Sequence, residues 1–473
     1  MITLIEIDGF KTFLNFRMEF SPLTVIAGTN ASGKSNLFDA LNLLSRIAET
    51  DLRTAFSEQR GTAAELFTQY GENNYETKMN FAVEVLLNKK VRDNWGKNET
   101  LKYTRLRYQL CIKREEKGNG LEDLNIVEEK LVALKHEEDE WVKKNIKLKE
   151  RGAWRPKVAT GRRGFPYIET EDNHAIILRQ DGGGGAKKEY PISPGITQTI
   201  LSSINSVDFK HAFAFKQELI SWKFLQLNPQ ALREPTRQDI GMRDTISQSG
   251  ENLAAALWRI QITDKYSLKN ISRKLNNLLP SLIEVNVYND TANKQFIIKI
   301  KSEDGREFSS RVLSEGTLRL LALCVFQYDD QHAGLLCFEE PENGVHPARM
   351  KEMAALLSDL SVDFTDIESP LRQVIINTHS PILVSELFDL NKDYSISVWL
   401  SQLVTTIVPN KNTKVKIHTS KIISVGSDTK RGNNNDFLLN FPEEKKLALT
   451  QLRRYLEHAK DVEKTIKELV SNE

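Results

Sequence analysis

The sequence predicts an α/β fold, a P-loop sheet interrupted along the chain by an inserted α+β or helical subdomain. Three observations carry this. The segment Gly28-Thr29-Asn30-Ala31-Ser32-Gly33-Lys34-Ser35 matches the phosphate-loop pattern, and it lies between an apolar run at 23–27 and a helical pattern at 36–44. Two further apolar runs, 335–338 and 374–376, have the character of parallel strands buried on both faces, and each ends in polar groups. From about 88 to 205 the pattern changes: lysine and glutamate become dense and hydrophobic periodicity is short-range. A chain of 473 residues exceeds what one core usually serves. The expected division is 1–87, the N-terminal half with the phosphate loop; 88–205, an inserted lobe; 206–400, the C-terminal half; and 401–473, an extension ending in an amphipathic helix.

The phosphate loop implies a bound triphosphate. Its glycines let successive N–H groups turn inward around phosphate oxygens, and the following helix offers its positive N-terminal end. Lys34 reaches the terminal phosphates and the Ser35 hydroxyl can ligate magnesium. Lys plus Arg is 65 against 64 Asp plus Glu, so net charge argues for neither nucleic acid nor a membrane surface. Cys111, Cys324 and Cys337 are too few and scattered for a disulfide framework or a zinc site, which fits a reducing cytoplasm. No apolar run reaches the roughly 18 residues that span a bilayer, and residues 1–6 open a strand instead of a signal peptide. The expectation is a soluble cytoplasmic protein without a membrane partner.

In chain order, apolar residues alternate from Ile2 through Ile5 and Ile7, turn at Asp8-Gly9 and continue through Phe13, Phe16 and Phe20, as a small sheet feeding the loop would. Leu37, Leu41, Leu44 and Ile47 fall at helical spacing, and 79–86 reads as a strand. In the insertion, Leu106, Tyr108 and Leu110 alternate as a half-exposed strand, 126–134 fits strand or helix, and Gly182 to Gly185 read as a flexible stretch. The charged stretch 135–151 fits a solvated helix face or a docking surface. Lys157, Arg162 and Arg163 with Trp154 and Phe165 form a weak basic and aromatic pattern of the kind that binds nucleic acid. Residues 253–260 are a helix candidate, and 283–288 with 296–300 read as a two-stranded unit. Residues 442–470 form an amphipathic helical pattern, suited to packing on its own domain or to docking.

The second half of the site begins at Leu313-Ser314-Glu315-Gly316-Thr317, with Ser314 in cap position of a helix and Gly316 allowing close approach to its first turn. From these residues it is either a phosphate-binding helix end or a well-capped helix. The run 335–338 ends in Glu339-Glu340-Pro341-Glu342, and carboxylates at the carboxyl end of a parallel strand stand where open α/β sheets bind ligands. Glu339 is assigned to magnesium and Glu340 to the water that attacks the γ-phosphate. The strand at 374–377 ends in Thr378-His379-Ser380-Pro381 and should neighbour the carboxylate strand, which puts His379 near the γ-phosphate as its sensor. His346 is a further candidate, or organises its loop.

Together these elements resemble the ABC-type ATPases of the class that holds RecF, the SMC proteins and their double-strand-break-repair relatives. The similarity covers roughly 1–85 and 250–390. Residues 28–35 look like the Walker A loop, 313–317 the signature motif, 335–340 the Walker B strand and 378–381 the switch histidine. Residues 28–37, 339–343 and 378–381 look most similar to bacterial AAA-family ATPases allied to overcoming-lysogenization-defect (OLD) proteins, which include the ATPase subunits of the anti-phage systems Septu and PARIS. The resemblance implies an ABC-type ATPase head with ATP and Mg2+ as cofactors, held by Gly28 to Asn36 with Lys11 on the phosphate side. Lys34, Glu340 and His379 would be catalytic, and Ser35 and Glu339 would hold the metal. Ser314, Glu315 and Gly316 would act in trans on a partner's nucleotide, in a head-to-tail dimer or an assembly of dimers. Arg60 is similar to a basic loop of SMC heads and Gln226 to the Q-loop glutamine. Two departures matter: the usual Walker B aspartate is Glu339, and Glu315 and Thr317 replace residues typical of transporters.

Three functions follow. The first is an ATP-controlled switch in phage defence that senses for or licenses a separately encoded effector nuclease and has no nuclease domain of its own. The second is a RecF-like ATPase that clamps DNA, which predicts ATP-driven, salt-sensitive duplex binding. The third is a nucleotide-binding scaffold without turnover, against which stand Lys34, Glu340 and His379; they imply real but slow hydrolysis.

Overall fold

The structure, a computed structural model, describes residues 1–116, 122–157, 166–171, 175–181, 187–191, 196–239, 243–329, 331, 333–367, 370–390, 396–410 and 413–425. Alternating apolar residues make β1 (Ile2–Asp8) a strand, and it pairs antiparallel with β2 (Phe16–Glu19), Leu4 opposite Glu19. The apolar run β3 (Leu23–Ala27) is buried at every position and passes through the phosphate loop into α1 (Lys34–Ile47). The stripe Leu37, Leu41, Leu44 and Ile47 is the buried face of α1.

The chain then returns beside β1 as β4 (Lys78–Leu86), Ile5 opposite Val83, and β5 (Arg105–Glu116) pairs with the other edge of β4, Phe81 opposite Leu110. β6 (Glu122–Ala133) pairs antiparallel with β5, so 126–134 is largely strand. With β7 (Ile168–Glu171), β8 (Ala175–Arg179) and β9 (Lys187–Pro191), the sheet has the order β9-β8-β7-β6-β5-β4-β1-β2.

Composition therefore misplaced the boundary at 87/88. The strands of 88–205 continue the sheet of the N-terminal half, and Leu106, Tyr108, Leu110 and Leu131 share one core with Ile5, Ile7 and Phe10. Many of the charged residues on these strands, Glu115, Glu122, Glu128, Lys187 and Glu189 among them, are exposed, which is why the stretch looked unlike its surroundings. In the charged stretch 135–151, Glu140, Lys143, Lys144, Lys147 and Lys149 are exposed, as a solvated face is, while the opposite side is anchored. Trp141 donates its Nε1–H to Phe20 O at 2.6 Å, and Asp139, fully buried, pairs with Arg105 and Arg155. Trp154 is likewise buried, its Nε1–H on Phe364 O at 2.9 Å, so it is no surface aromatic. Arg162, Arg163, Phe165, the tetraglycine 182–185 and the helical pattern 442–470 lie outside the described residues.

After α2 (Lys210–Ile220), β10 (Lys223–Leu225), α3 (Leu253–Thr263) and α4 (Lys265–Leu278), the expected hairpin forms from β11 (Leu282–Asp290) and β12 (Gln295–Ser302), Val285 opposite Ile300. The chain continues through α5 (Glu315–Tyr328), β13 (Gly334–Glu339), α6 (Met350–Asp359), β14 (Arg372–Thr378), α7 (Pro381–Leu390), β15 (Ile396–Asn410) and β16 (Thr413–Ser424). The second sheet has the order β10-β13-β14-β3-β15-β16, parallel up to β15 and antiparallel between β15 and β16. Period-two alternation divides its side chains between two cores: Ile26, Cys337 and Ile375 face one, Val25, Phe338 and Ile376 the other. β15 runs across the boundary expected at 400/401, because the strand belongs to the same sheet as the phosphate loop. No helix among the described residues is long and apolar enough to cross a membrane.

Glu129, fully buried on β6, accepts hydrogen bonds from Ile200 N at 2.7 Å, Leu201 N at 2.9 Å and the Tyr108 hydroxyl at 3.1 Å. Burial pushes its pKa from 4.5 up to about 7 despite these bonds. A carboxyl whose folded pKa lies above its unfolded value contributes stability below the unfolded pKa and loses that contribution as pH rises through the folded one. The expected outcome is a fall in melting temperature between pH 4.5 and pH 7.5 that is smaller in Glu129→Gln than in the native chain; equal falls would contradict it.

Candidate nucleotide site

The site stands where β3, β13 and β14 end side by side. The register places Ala27 opposite Thr378 and Asn377 opposite Glu339, so the segments that follow these strands are neighbours although β3 lies hundreds of residues before the other two in the chain.

Between β3 and α1 the loop backbone reverses handedness, Ala31 at φ 62° and Gly33 at φ 94°. Such a backbone turns N–H groups into a common concavity. Thr29, Asn30 and Ala31 are exposed on its rim, and the Ser32 hydroxyl is buried without a hydrogen-bond partner. Lys34, buried, folds its Nζ onto Gly28 O and Thr29 O, both at 2.8 Å. Burial lowers its pKa, and Glu340, Glu342 and Glu339 oppose that shift. Ser35 Oγ donates to Glu339 Oε1 at 2.7 Å, which joins the two expected metal ligands. Asn36 Nδ2 donates to Thr12 Oγ1 at 2.8 Å.

Glu340 follows β13 with φ 48°, a left-handed conformation costly for a side chain of this type and concentrated at functional sites. Its backbone N–H donates to Asn377 O, which ties it to the end of β14. Its two carboxylate oxygens are both held, one by His379 Nδ1 at 3.0 Å and the other by Asn343 Nδ2 at 2.8 Å. Behind them Thr378 donates its hydroxyl to Glu342 and accepts from Ser380 N–H at 2.9 Å. Burial raises the Glu342 pKa, opposed by the Thr378 bond.

A cleft of about 590 Å3 borders these carboxylates, lined in part by Arg60, Gln226, Arg319, Glu339, Glu340 and Asn343. Arg60 and Gln226 both line it. Lys11, at φ 46°, and Arg60 both pair with one carboxylate, Asp39, at 2.7 and 2.8 Å. Neither Asp39 nor Arg319 is apparent from motifs. The signal for Asp39 was its place on α1 one turn beyond Ser35, and Arg319 lies one turn beyond Glu315, whose carboxylate it holds at 2.9 Å.

Ser314 caps α5, accepting from Thr317 N–H at 3.3 Å, and is exposed. Among the described residues no hydrogen bond joins Ser314, Glu315 or Gly316 to the phosphate loop of the same chain. His346 accepts from Ala348 N–H at 3.2 Å and so caps the turn Pro347–Arg349, the loop-organising alternative of the two. No group of three or more His, Cys, Asp or Glu among the described residues is arranged to hold a metal. This donor set fits magnesium, which takes one or two protein oxygens and completes its octahedron with phosphate and water.

Gly316 is closely approached by its own chain: a Cβ there would stand 2.5 Å from Gly344 O. Helix propensity alone favours Gly316→Ala by about 1 kcal/mol. The backbone contact reverses the sign, and the expected outcome is a destabilisation of about 1–3 kcal/mol in denaturant unfolding. A more stable variant would contradict the contact.

Two domain models match the sequence, one described as an AAA ATPase domain over residues 1–155, the other as "AAA domain, putative AbiEii toxin, Type IV TA system" over 186–385. No curated protein matches it. Among solved structures, an Smc head bound to the C-winged helix domain of ScpA is 13% identical with a TM-score of 0.47, over 90% of this chain and 98% of that one. An Smc head domain with an extended coiled coil, bound to the C-terminal domain of ScpA and derived from Pyrococcus furiosus, is 12% identical with a TM-score of 0.45, over 90% and 96%. The SMC head domain from Thermotoga maritima is 11% identical with a TM-score of 0.37, over 90% and 99%. The first matched segment contains the phosphate loop and the second contains Ser314, Glu339, Glu340 and His379: the chain carries AAA-type ATPase domain sequence on both sides of its site.

Proposed function

We propose that the chain is a magnesium-dependent ATPase whose hydrolysis is slow and whose nucleotide site is completed by a second copy. The observation that carries this reading is the meeting of Lys34, the Ser35–Glu339 pair and the Glu340–His379 pair at the ends of three adjacent strands. Gly28, Thr29, Asn30, Ala31, Ser32 and Gly33 wrap the phosphates, and Lys34 exchanges its two carbonyl partners for phosphate oxygens. Ser35 and Glu339 would hold magnesium, which when bound would supply positive charge against the transferred group. Glu340, fixed through both oxygens, orients the attacking water, and His379 stands beside it on the γ-phosphate side. Lys11 and Arg60 add positive charge at the rim, and Gln226 borders the same cleft.

The exposed Ser314, free of its own phosphate loop, supports action on the nucleotide of another copy. A head-to-tail dimer satisfies both sites at once, and dimers can assemble further. The setting we infer is defence against phage, with a separately encoded nuclease as effector. It rests on resemblance to OLD-allied ATPases; the alternative is a RecF-like ATP-dependent DNA-binding repair protein.

The test is phosphate release and light scattering with and without Mg-ATP. Glu340→Gln is expected to lower turnover by about 10²–10⁴-fold, the usual worth of a positioned acid–base group, while ATP still binds and an ATP-dependent oligomer accumulates. Unchanged turnover would remove Glu340 from the mechanism. A chain that stays monomeric with ATP would remove the shared site.

A further inference from the structure

We propose that the hairpin β15–β16 positions the phosphate loop, with Ser401 aiming the Gly33 amide at the nucleotide; this rests on the nucleotide reading above. No motif marks the hairpin, and it enters the site only through the sheet. β15 pairs with β3 up to Leu400 opposite Ala27, so the next residue, Ser401, lies beside the first loop residue, Gly28. The approach is close: a Cβ at Gly28 would stand 2.5 Å from Ser401 O. Ser401, buried, donates its hydroxyl to Ser32 O at 2.9 Å.

That carbonyl belongs to the same planar peptide unit as the Gly33 N–H. In a trans peptide the two point in opposite directions, so drawing Ser32 O toward β15 turns the Gly33 N–H away from the hairpin. On the nucleotide reading, this is the side on which a phosphate would be received. The contact differs from the two that Lys34 makes with Gly28 O and Thr29 O. Lys34 leaves those when it reaches a phosphate, whereas the Ser401 bond can persist in both states.

β16 holds the loop from a second direction. Gly33 has φ 94°, and a Cβ on it would stand 1.7 Å from Ser420 Oγ, so the serine fills the space that glycine leaves. Ser420 donates its backbone N–H to Thr12 O at 2.9 Å, and the two hydroxyls share a hydrogen bond at 2.7 Å. Asn36 of α1 donates to the same Thr12 hydroxyl. Three segments distant in sequence thus close on the base of the loop, and each uses a small polar side chain where packing alone would accept an apolar one.

The test is calorimetric titration of the full chain with Mg-ADP and with a non-hydrolysable Mg-ATP analogue, alongside melting of the nucleotide-free protein. Ser401→Ala is expected to weaken both nucleotides about tenfold, the factor for one lost hydrogen bond of ordinary strength, with little change in melting temperature. Ser401→Thr, which keeps the hydroxyl, is expected to bind as the native chain does. Unchanged affinity with a lowered melting temperature would make the bond purely structural and overturn the proposal. If Ser401→Ala does not fold, Ser420→Ala takes its place, with a loss of about threefold expected and none overturning it. If the native chain binds neither nucleotide, or Lys34→Ala binds them equally well, the nucleotide reading itself fails and this proposal with it. Native binding that Ser401→Ala leaves intact overturns the positioning alone.

Discussion

Every backbone N–H and C=O of a strand buried on both faces must find its partner in the neighbouring strands, and β14 meets this by lying between β13 and β3. That ladder fixes the relative height of three strand ends. Glu339, Asn377 and Ile26 fall at one level, and Ala27 lies opposite Thr378 one residue further on. A shift of register by one residue would turn each side chain to the other face and break both cores at once. The chemistry of the site is therefore held by apolar residues that take no part in it.

Charge is the second constraint. Three glutamates, 339, 340 and 342, crowd about one buried lysine, and burial alone would disfavour the charged form of either kind. A metal with a polyphosphate would bring both signs of charge to this cluster. Until then the groups satisfy one another: Lys34 on loop carbonyls, Ser35 on Glu339, His379 and Asn343 on Glu340. Asp39 does the same for Lys11 and Arg60, holding two cations from separate segments at the loop's rim.

The parts legible in the sequence were those in which local pattern and chemistry coincide. The phosphate loop, the apolar runs of β13 and β14 and the cap of α5 each combine a structural signal with reactive side chains within a few residues. Asp39, Arg319 and the serines of the hairpin carry no such signal. Their roles depend on which strands become neighbours, and β15 meets β3 across more than three hundred residues of chain. The lysine- and glutamate-rich region misled for a related reason. Composition reports the solvent face of a sheet as readily as a separate lobe, and Trp154 beside basic residues looked like a surface until its ring was found packed against Phe364. Long-range pairing, not propensity, decided those cases.

The central claim is that α1 and β13 together present one metal–nucleotide site through Ser35 and Glu339. The most direct measurement is a crystal structure of the chain with a non-hydrolysable ATP analogue and manganese, read by anomalous scattering. The account predicts one strong peak beside Ser35 and Glu339, with the Lys34 ammonium moved from the loop carbonyls to phosphate. A triphosphate bound elsewhere, or a metal peak away from both side chains, would contradict it.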